Sequence, residues 1–563
     1  MKGAPRPPLP PEQAALKRMY ERPFAPPDPL RPADLVLAAL LALAALGLRW
    51  LHLGAPSLWA DEGATLLFAQ ADWPFLWTRL PAVETNPPGY YALVKIWTGL
   101  AGISEQALRM PGALAGAAAV AAIYLAGQRV FGRGAAIVAA TVLALSAVQV
   151  AHAQEARAYA FLSLGTALGL WLGHLALVPA APEVAAREGG APGRVRPPWP
   201  AWPIWAGLAI TAGALPHLHY SGFFVALVLL VYLLALGGLR GAWGGAGNGG
   251  GAGGRARRRG LGLAVLGAAL IALPPVWWTL GHIGAGPGDD PAGWMHPPSL
   301  AEAKWVIHET FGHPYLSFAA PGWAAETLPD ARLGKLFAPR RLAEAVLAAL
   351  AIFGMWHALR ARQKAVPALA LALGLIVVLF WLISQAKPIM LQRTLLFGLP
   401  YLALLMGYAV MALRHAYLVF PAALALFGFQ AANLAAYYPK AQKEDWRGTI
   451  RALQRAHGPD AAIVLASGPY LPASVSSAPL LRFYWTGPDP APVFVLPAAR
   501  AQALDAAGRA LQPDLRPLAP AAPHRASRRT GSTRASAGSA RDRARTRCVA
   551  GSRRRASRSA PRR

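Results

Sequence analysis

From about residue 35 to residue 436 the chain is a succession of apolar runs separated by short polar or basic connections. A helix needs roughly 20 apolar residues to cross a bilayer. Runs at about 35–53, 108–127, 135–151, 158–178, 203–216, 220–238, 261–280, 342–359, 366–384, 394–413 and 416–436 therefore predict about eleven spans. The stretch 87–102 is the exception, being short, interrupted by Lys95 and opened by Asn86-Pro87-Pro88-Gly89. It reads as a helix lying in the interface, with Tyr90, Tyr91 and Trp97 at headgroup level. "LAEAKWVIHETF" reads as a second juxtamembrane helix, with Leu300, the stem of Lys304, Ile307 and Phe311 on one face. The fold class is thus an all-α polytopic membrane protein with external juxtamembrane helices.

Beyond Tyr438 the pattern changes. "EDWRGTIRALQRAHG" puts Trp446, Ile450 and Leu453 on one helical face, and "AAIVLAS" and "PVFVLP" read as buried strands, so 437–519 predicts a small α/β segment. The organisation expected is a polar segment over 1–33, a membrane domain over 34–436, this soluble segment, and a tail over 520–563. The tail has almost nothing to bury and reads as disordered. No removable signal peptide is seen in the Pro-rich start.

Charge fixes the expected orientation. Lys17, Arg18, Arg22 and Arg31 precede the first run, which places the N-terminus inside. If 87–102 does not cross, Arg129 and Arg133 fall inside as well, and His152–Tyr159 emerges outside with Asp61. Arg255, Arg257, Arg258 and Arg259 end a Gly-rich stretch that reads as a flexible inner linker. The net charge of +29 does not indicate nucleic-acid binding, because fourteen arginines against Asp542 in 523–563 supply +13 of it. The single cysteine, Cys548, excludes an intrachain disulfide and a Cys-based zinc site. The Gly runs at 244–254 lack the Lys-Ser/Thr of a phosphate-binding loop.

Acids are scarce, 26 in 563 residues, yet Asp61 and Glu62 stand together just past the first apolar run. Carboxylates beside a bilayer are costly and mark function by default, although the pair could also cap a surface helix. The expected topology gathers Asp61, Glu62, Asn86, Arg109, Glu155, Arg157, Lys387 and Arg393 on the outer face. A carboxylate there can take a proton from a hydroxyl while Lys and Arg hold an anionic leaving group. A phosphate on a membrane lipid would sit at that height.

"LWADEGATLLFAQ", "NPPGYYALVKIW" and the run from "ALRMPGALAG" to "VAHAQEARAYAF" resemble, in order, bacterial GT-C glycosyltransferases. The group resembled contains protein O-mannosyltransferases and lipid A aminoarabinose transferases. The resemblance is dense over 57–164 and returns at "LQRTLLFGLPYLALL" and "EDWRGTIRALQ". It implies inverting transfer of a sugar from a polyprenyl-phosphate donor to a lipid, glycan or protein hydroxyl, at the outer side of the bacterial cytoplasmic membrane. By it Asp61 is the catalytic base, Glu62 supports it and Glu155 is the second acid. Lys387 and Arg393, with Arg157, contact the donor phosphate, and Asn86, Tyr90 and Arg109 line the substrate side. The family's second acid is often Asp in an Arg-rich context, whereas here it stands in "QEAR". Asp61, Glu62 and Glu155 could hold a divalent cation or work without one.

Blander roles stand beside these. Arg109 could anchor a span, Arg157 could pair with Glu62 or Glu155, and His152 could be an interface residue. His217 and His219 would need further ligands to form a metal site. A transporter or flippase of lipid-linked sugar is the alternative function; it would show helices interrupted near the midplane and often internal repeats, and the sequence displays neither. A scaffold would tolerate loss of Asp61.

Overall fold

The computed structural model describes residues 30–78, 80, 84–178, 201–240, 251–283, 296–316, 339–439, 443–456, 463–466, 476–486, 493–496 and 516–517. The arginine-rich tail with Cys548 and nearly all of the segment 1–33 lie outside these residues. The chain divides into two compact units, one of Met1–Ala55 with Asp72–Ala441 and one of Pro56–Ala71 with Gln442–Arg563.

The first unit is a helical membrane bundle. Nine of its described helices are long and apolar enough to cross a membrane: Pro32–Trp50, Glu105–Phe131, Tyr159–Leu177, Gly222–Leu239, Gly254–Leu280, Arg340–Arg360, Ala365–Ala386, Gln392–Ala412 and Ala416–Tyr437. The pair Arg133–Leu145 and Ala147–Ala153, bent by 57° at its break, passes the same test together and makes ten if it is one span. The eleventh expected span is a helix, Ala201–Leu218, but does not join these by length and composition. Glu105–Phe131 and Gln392–Ala412 are each 83% buried and form the centre, whereas Pro32–Trp50 at 22% lies at the edge. The protein is therefore a multi-pass membrane protein. The stretch 87–102 forms the helix Gly89–Ala101, too short to span.

Local chemistry explains several boundaries. Ser104 caps the central helix by accepting from the Ala107 N–H at 3.1 Å. Gly132, at φ 87°, ends it and makes the turn to Arg133, a backbone conformation open to glycine at no cost. The hairpin is tied to the first span by Asp34, fully buried, which takes hydrogen bonds from Arg133 at 2.8 Å and the Tyr124 hydroxyl at 2.9 Å. The bent pair carries neither Pro nor Gly at its break. Ser146 instead takes an extended conformation and its hydroxyl accepts from Gln149 N–H, starting a new helix.

Two expectations are corrected here. Arg255–Arg259 are not in a flexible linker but in the first turns of the helix Gly251–Ile283. The helix continues past the apolar window, where Arg255, Arg258 and Arg259 stay exposed, as long cationic side chains at a span's end can. The helix Leu300–Phe311 forms with a Ser299–Glu302 capping box, but its buried face is Ala303, Val306 and Thr310, and Leu300 is 73% exposed. Ile307 and Phe311 do pack on the main core, at the flank of that face.

The second unit is built from Pro56–Ala71 and the C-terminal segment. It holds the helices Ala60–Gln70, Trp446–Ala456 and Ser477–Tyr484. Ile463–Ala466 pairs parallel with Val493–Leu496, in register Ile463 to Val493, and Arg516–Pro517 adds an antiparallel edge. Both expected strands are present, and Ile450 is buried between half-buried Trp446 and Leu453. The grouping of 56–71 with this segment differs from the expectation that 34–436 forms one domain. The cause is local: Ser57, Leu58 and Gly63 all engage C-terminal residues, as described below.

Candidate functional site

In the first unit the connections between helices build a buried polar ring. Glu84 precedes the helix Gly89–Ala101 and is nearly fully buried. One of its oxygens accepts from the Asn86 backbone at 3.0 Å and side chain at 2.9 Å, the other from the Tyr91 hydroxyl at 2.5 Å. Arg157 stands 3.6 Å from the second oxygen and donates to the Tyr91 oxygen at 3.2 Å. Burial alone would push the Glu84 carboxyl up, but the Arg157 charge with the Tyr91 and Asn86 donors outweighs it and holds the carboxyl below its ordinary range. Burial raises Tyr91 well above the usual phenol value, so it stays a hydrogen-bond donor.

The ring continues through the turn after Ala201–Leu218. The Tyr220 N–H faces Asn86 Oδ1 at 3.4 Å, and His219 packs between Tyr220 and Tyr159. Burial, with the charges of Arg157 and Arg393, lowers His219 well below its ordinary value, so it is neutral. Arg393 lies 5.8 Å over the Tyr159 ring, a cation–π approach.

The bent pair delivers His152 and Glu155 to the same neighbourhood. His152 Nδ1 is 3.1 Å from Glu155 Oε2 and its Nε2 is 3.3 Å from Gln392 Oε1. Gln392 is oriented by its amide nitrogen, which donates to the Glu309 carbonyl at 2.6 Å. Its oxygen must then accept from His152 Nε2–H. The acid loop is itself anchored, since Gln154 Nε2 donates to the carbonyls of Arg49 and Leu51 at 2.9 and 2.6 Å, and the Tyr437 hydroxyl donates to Gln154 Oε1 at 2.9 Å.

The structure thus brings Asn86, Glu155, Arg157 and Arg393 into one contiguous network. Tyr90 lines it from the apolar side, edge-on to Tyr91 and Phe161. Lys387 is half-buried just after the helix Ala365–Ala386, five residues before Gln392. Arg109 is fully buried and donates to the Leu53 carbonyl at 2.8 Å. The sequence offered Glu62 or Glu155 as a partner of Arg157, and the structure places Glu84 beside it. Sequence reasoning passed over Glu84, although its place two residues before Asn86-Pro87-Pro88 was the available signal.

In the second unit Asp61 and Glu62 open the helix Ala60–Gln70 and have different surroundings. Glu62 is fully buried; its Oε2 faces the Trp59 N–H at 3.4 Å and its Oε1 faces Lys443 Nζ at 3.6 Å. Asp61 is partly exposed. Among the described residues no group of three or more His, Cys, Asp or Glu is placed to hold a metal ion.

Comparison with known proteins bears on this arrangement in two ways. A family profile described as dolichyl-phosphate-mannose-protein mannosyltransferase matches residues 85–182, the stretch that carries Asn86, Tyr90, Arg109, Glu155 and Arg157. The fold is similar to that of ArnT from Cupriavidus metallidurans bound to undecaprenyl phosphate, with a TM-score of 0.50 at 16% identity over 81% of this chain and 85% of that one. The apo state of the same protein matches with a TM-score of 0.49 at 16% identity, over 82% of this chain and 86% of that one. The Archaeoglobus fulgidus oligosaccharyltransferase tethered with an acceptor peptide gives 0.43 at 15%, over 76% of this chain and 57% of that one. No curated protein matches the sequence. The profile and the ArnT fold bear out the resemblance read from the sequence, to GT-C membrane glycosyltransferases of the aminoarabinose-transferase and protein-mannosyltransferase type.

Proposed function

We propose that this chain is an inverting glycosyltransferase that moves a sugar from a polyprenyl-phosphate donor to a hydroxyl on a lipid, glycan or protein, at the outer face of the bacterial cytoplasmic membrane. The observation that supports this most is the buried ring in which Arg157 meets Glu84 and Tyr91 and Arg393 faces Tyr159, with Tyr91, Arg157 and Tyr159 in the profile-matched stretch. Arg157, held by Glu84 and Tyr91, and Arg393, over Tyr159, are cations of the ring, and Arg suits phosphate by its planar, forked donors.

In this reading Asp61 accepts the proton of the acceptor hydroxyl as the oxygen attacks the anomeric carbon. The bond from that carbon to the phosphate oxygen breaks, and its electron pair leaves on the lipid phosphate. Arg157, Arg393 and Lys387 hold that developing charge. Glu155, held by His152 at 3.1 Å, is the second acid of this reading. Asn86 and Tyr90 shape the donor side, and Arg109 keeps the Leu53 end of the first span in place.

The transporter reading retains one observation, a helix pair bent by 57° at Ser146, beside the sequence view that no helix is interrupted near the midplane. The break lies toward the Glu155 end rather than mid-span. Proteoliposomes loaded with radiolabelled polyprenyl-phosphate sugar and a mixed envelope acceptor separate the two. Transferase activity moves label from the lipid to the acceptor. Label that crosses the bilayer still attached to its polyprenyl phosphate, with none transferred, would overturn the proposal.

A further inference from the structure

The residues around Asp61 are held, almost one by one, by the C-terminal segment of the second unit. The Ser57 hydroxyl donates to the Glu444 carbonyl at 2.6 Å and accepts from the Trp446 N–H at 3.0 Å. The Leu58 N–H donates to the Tyr484 hydroxyl at 2.7 Å. Gly63 lies so close to the Ser476 carbonyl and Leu480 that a Cβ there would collide with both. Trp59 lies under Lys443, whose Nζ is 5.7 Å from the ring centroid.

Glu62 is the buried member of this set, and its two oxygens have separate tasks. Oε2 faces the Trp59 N–H, closing the first turn as the acid of a capping box does, and Oε1 faces Lys443. The side chains of Lys443 and Glu62 are 7% and 0% exposed. A carboxylate so placed needs its cation, and the cation needs the carboxylate, because either charge buried alone is strongly unfavourable. Asp61 stays partly exposed, and the Thr65 hydroxyl donates to its backbone carbonyl at 3.3 Å.

We infer that Lys443 is a positioning residue: with Glu62 it forms a buried ion pair that locks the 57–63 loop onto the C-terminal segment and presents the Asp61 carboxylate at a fixed place. Glu62 then takes no part in proton transfer. The C-terminal segment is the mount of the base rather than an appendage. This rests on the reading of Asp61 as the base.

The test uses the full chain in detergent or nanodiscs, with sugar transfer and hydrogen–deuterium exchange of the 57–70 peptide measured on the same samples. Lys443→Met lowers kcat by roughly 10- to 100-fold, the scale of a slight misplacement of a catalytic group. It leaves the donor KM unchanged and speeds exchange of 57–70. Lys443→Arg keeps both near wild type. The double variant Glu62→Gln/Lys443→Met, which buries neither charge alone, recovers kcat to within about fivefold and restores protection. The inference is overturned if Lys443→Met leaves exchange and kcat as in wild type. It is equally overturned if the double variant regains protection yet its kcat stays as low as that of Lys443→Met, since Glu62 would then act in the chemistry. Failure of the underlying reading looks different: Asp61→Asn keeps transfer, while the exchange pattern of the Lys443 variants is unchanged.

Discussion

Glu84 shows how a single buried carboxylate can set the character of the whole ring. It accepts from Tyr91 and Asn86 and faces Arg157, so it fixes the guanidinium that we assign to the phosphate. Glu84→Gln keeps the shape and one acceptor but leaves Arg157 buried without its counter-charge. We expect a loss of about 3 kcal/mol of stability together with a several-fold rise in donor KM. Thermal unfolding in detergent and initial-rate kinetics measure the two effects. A wild-type KM with reduced stability would show that Arg157 serves structure only. The sequence displayed Arg157 and several acids that it could meet, and nothing in spacing separates Glu62, Glu84 and Glu155 as partners for it. Only the packing of Gly89–Ala101 on the central helix makes that choice. Asp61 and Glu62 were visible as an adjacent pair for the opposite reason: sequence neighbours need no tertiary information to be found. Their division of labour did need it, because burial of Glu62 depends on Lys443, hundreds of positions later.

Among the elements, the long apolar helices were legible because each run carries its own signal, a length and a hydropathy. Less legible were places where weak local preferences are settled by neighbours. Gly251–Gly254 and the arginines after them form helix because the span beyond nucleates it, although glycine on its own disfavours helix. The break at Ser146 carries no Pro or Gly, so no breaker marks it. The helix Leu300–Phe311 was found by its period, but its buried face is offset because Thr310 and Ala303 are small enough to pack closely. Just beyond that helix His313 is fully buried, with Arg340 and Glu344 nearby, and burial lowers its pKa to about 4 from 6.5. In the unfolded chain the same ring protonates near 6.5. The unfolded state therefore binds more protons between those values, and stability falls as pH drops from about 6.5 toward 4. Buried His219 acts in the same direction. Melting temperatures across this range should decline, and His313→Phe should make the decline shallower without abolishing it. An unchanged slope would show that His313 is not buried neutral in the folded protein.

At the scale of the whole molecule, the sequence supplied the class and the order of spans, and the fold agrees with ArnT over most of both chains. The first unit ends at Ala441, near the expected 436. The loop that carries Asp61 is grouped with the C-terminal segment, through hydrogen bonds linking positions nearly four hundred residues apart. Such contacts leave no trace in periodicity. The first unit holds a buried ring with two guanidiniums, and the second a partly exposed aspartate beside a glutamate paired with Lys443. The central claim of the proposal is that Asp61 takes the acceptor proton. It is tested most directly by comparing wild type with Asp61→Asn for transfer from radiolabelled polyprenyl-phosphate sugar, with donor binding measured in parallel. The account predicts that the Asn variant binds donor as wild type does while transfer falls by at least about 10²-fold, the lower end of what a general base contributes. Full transfer by Asp61→Asn would contradict it.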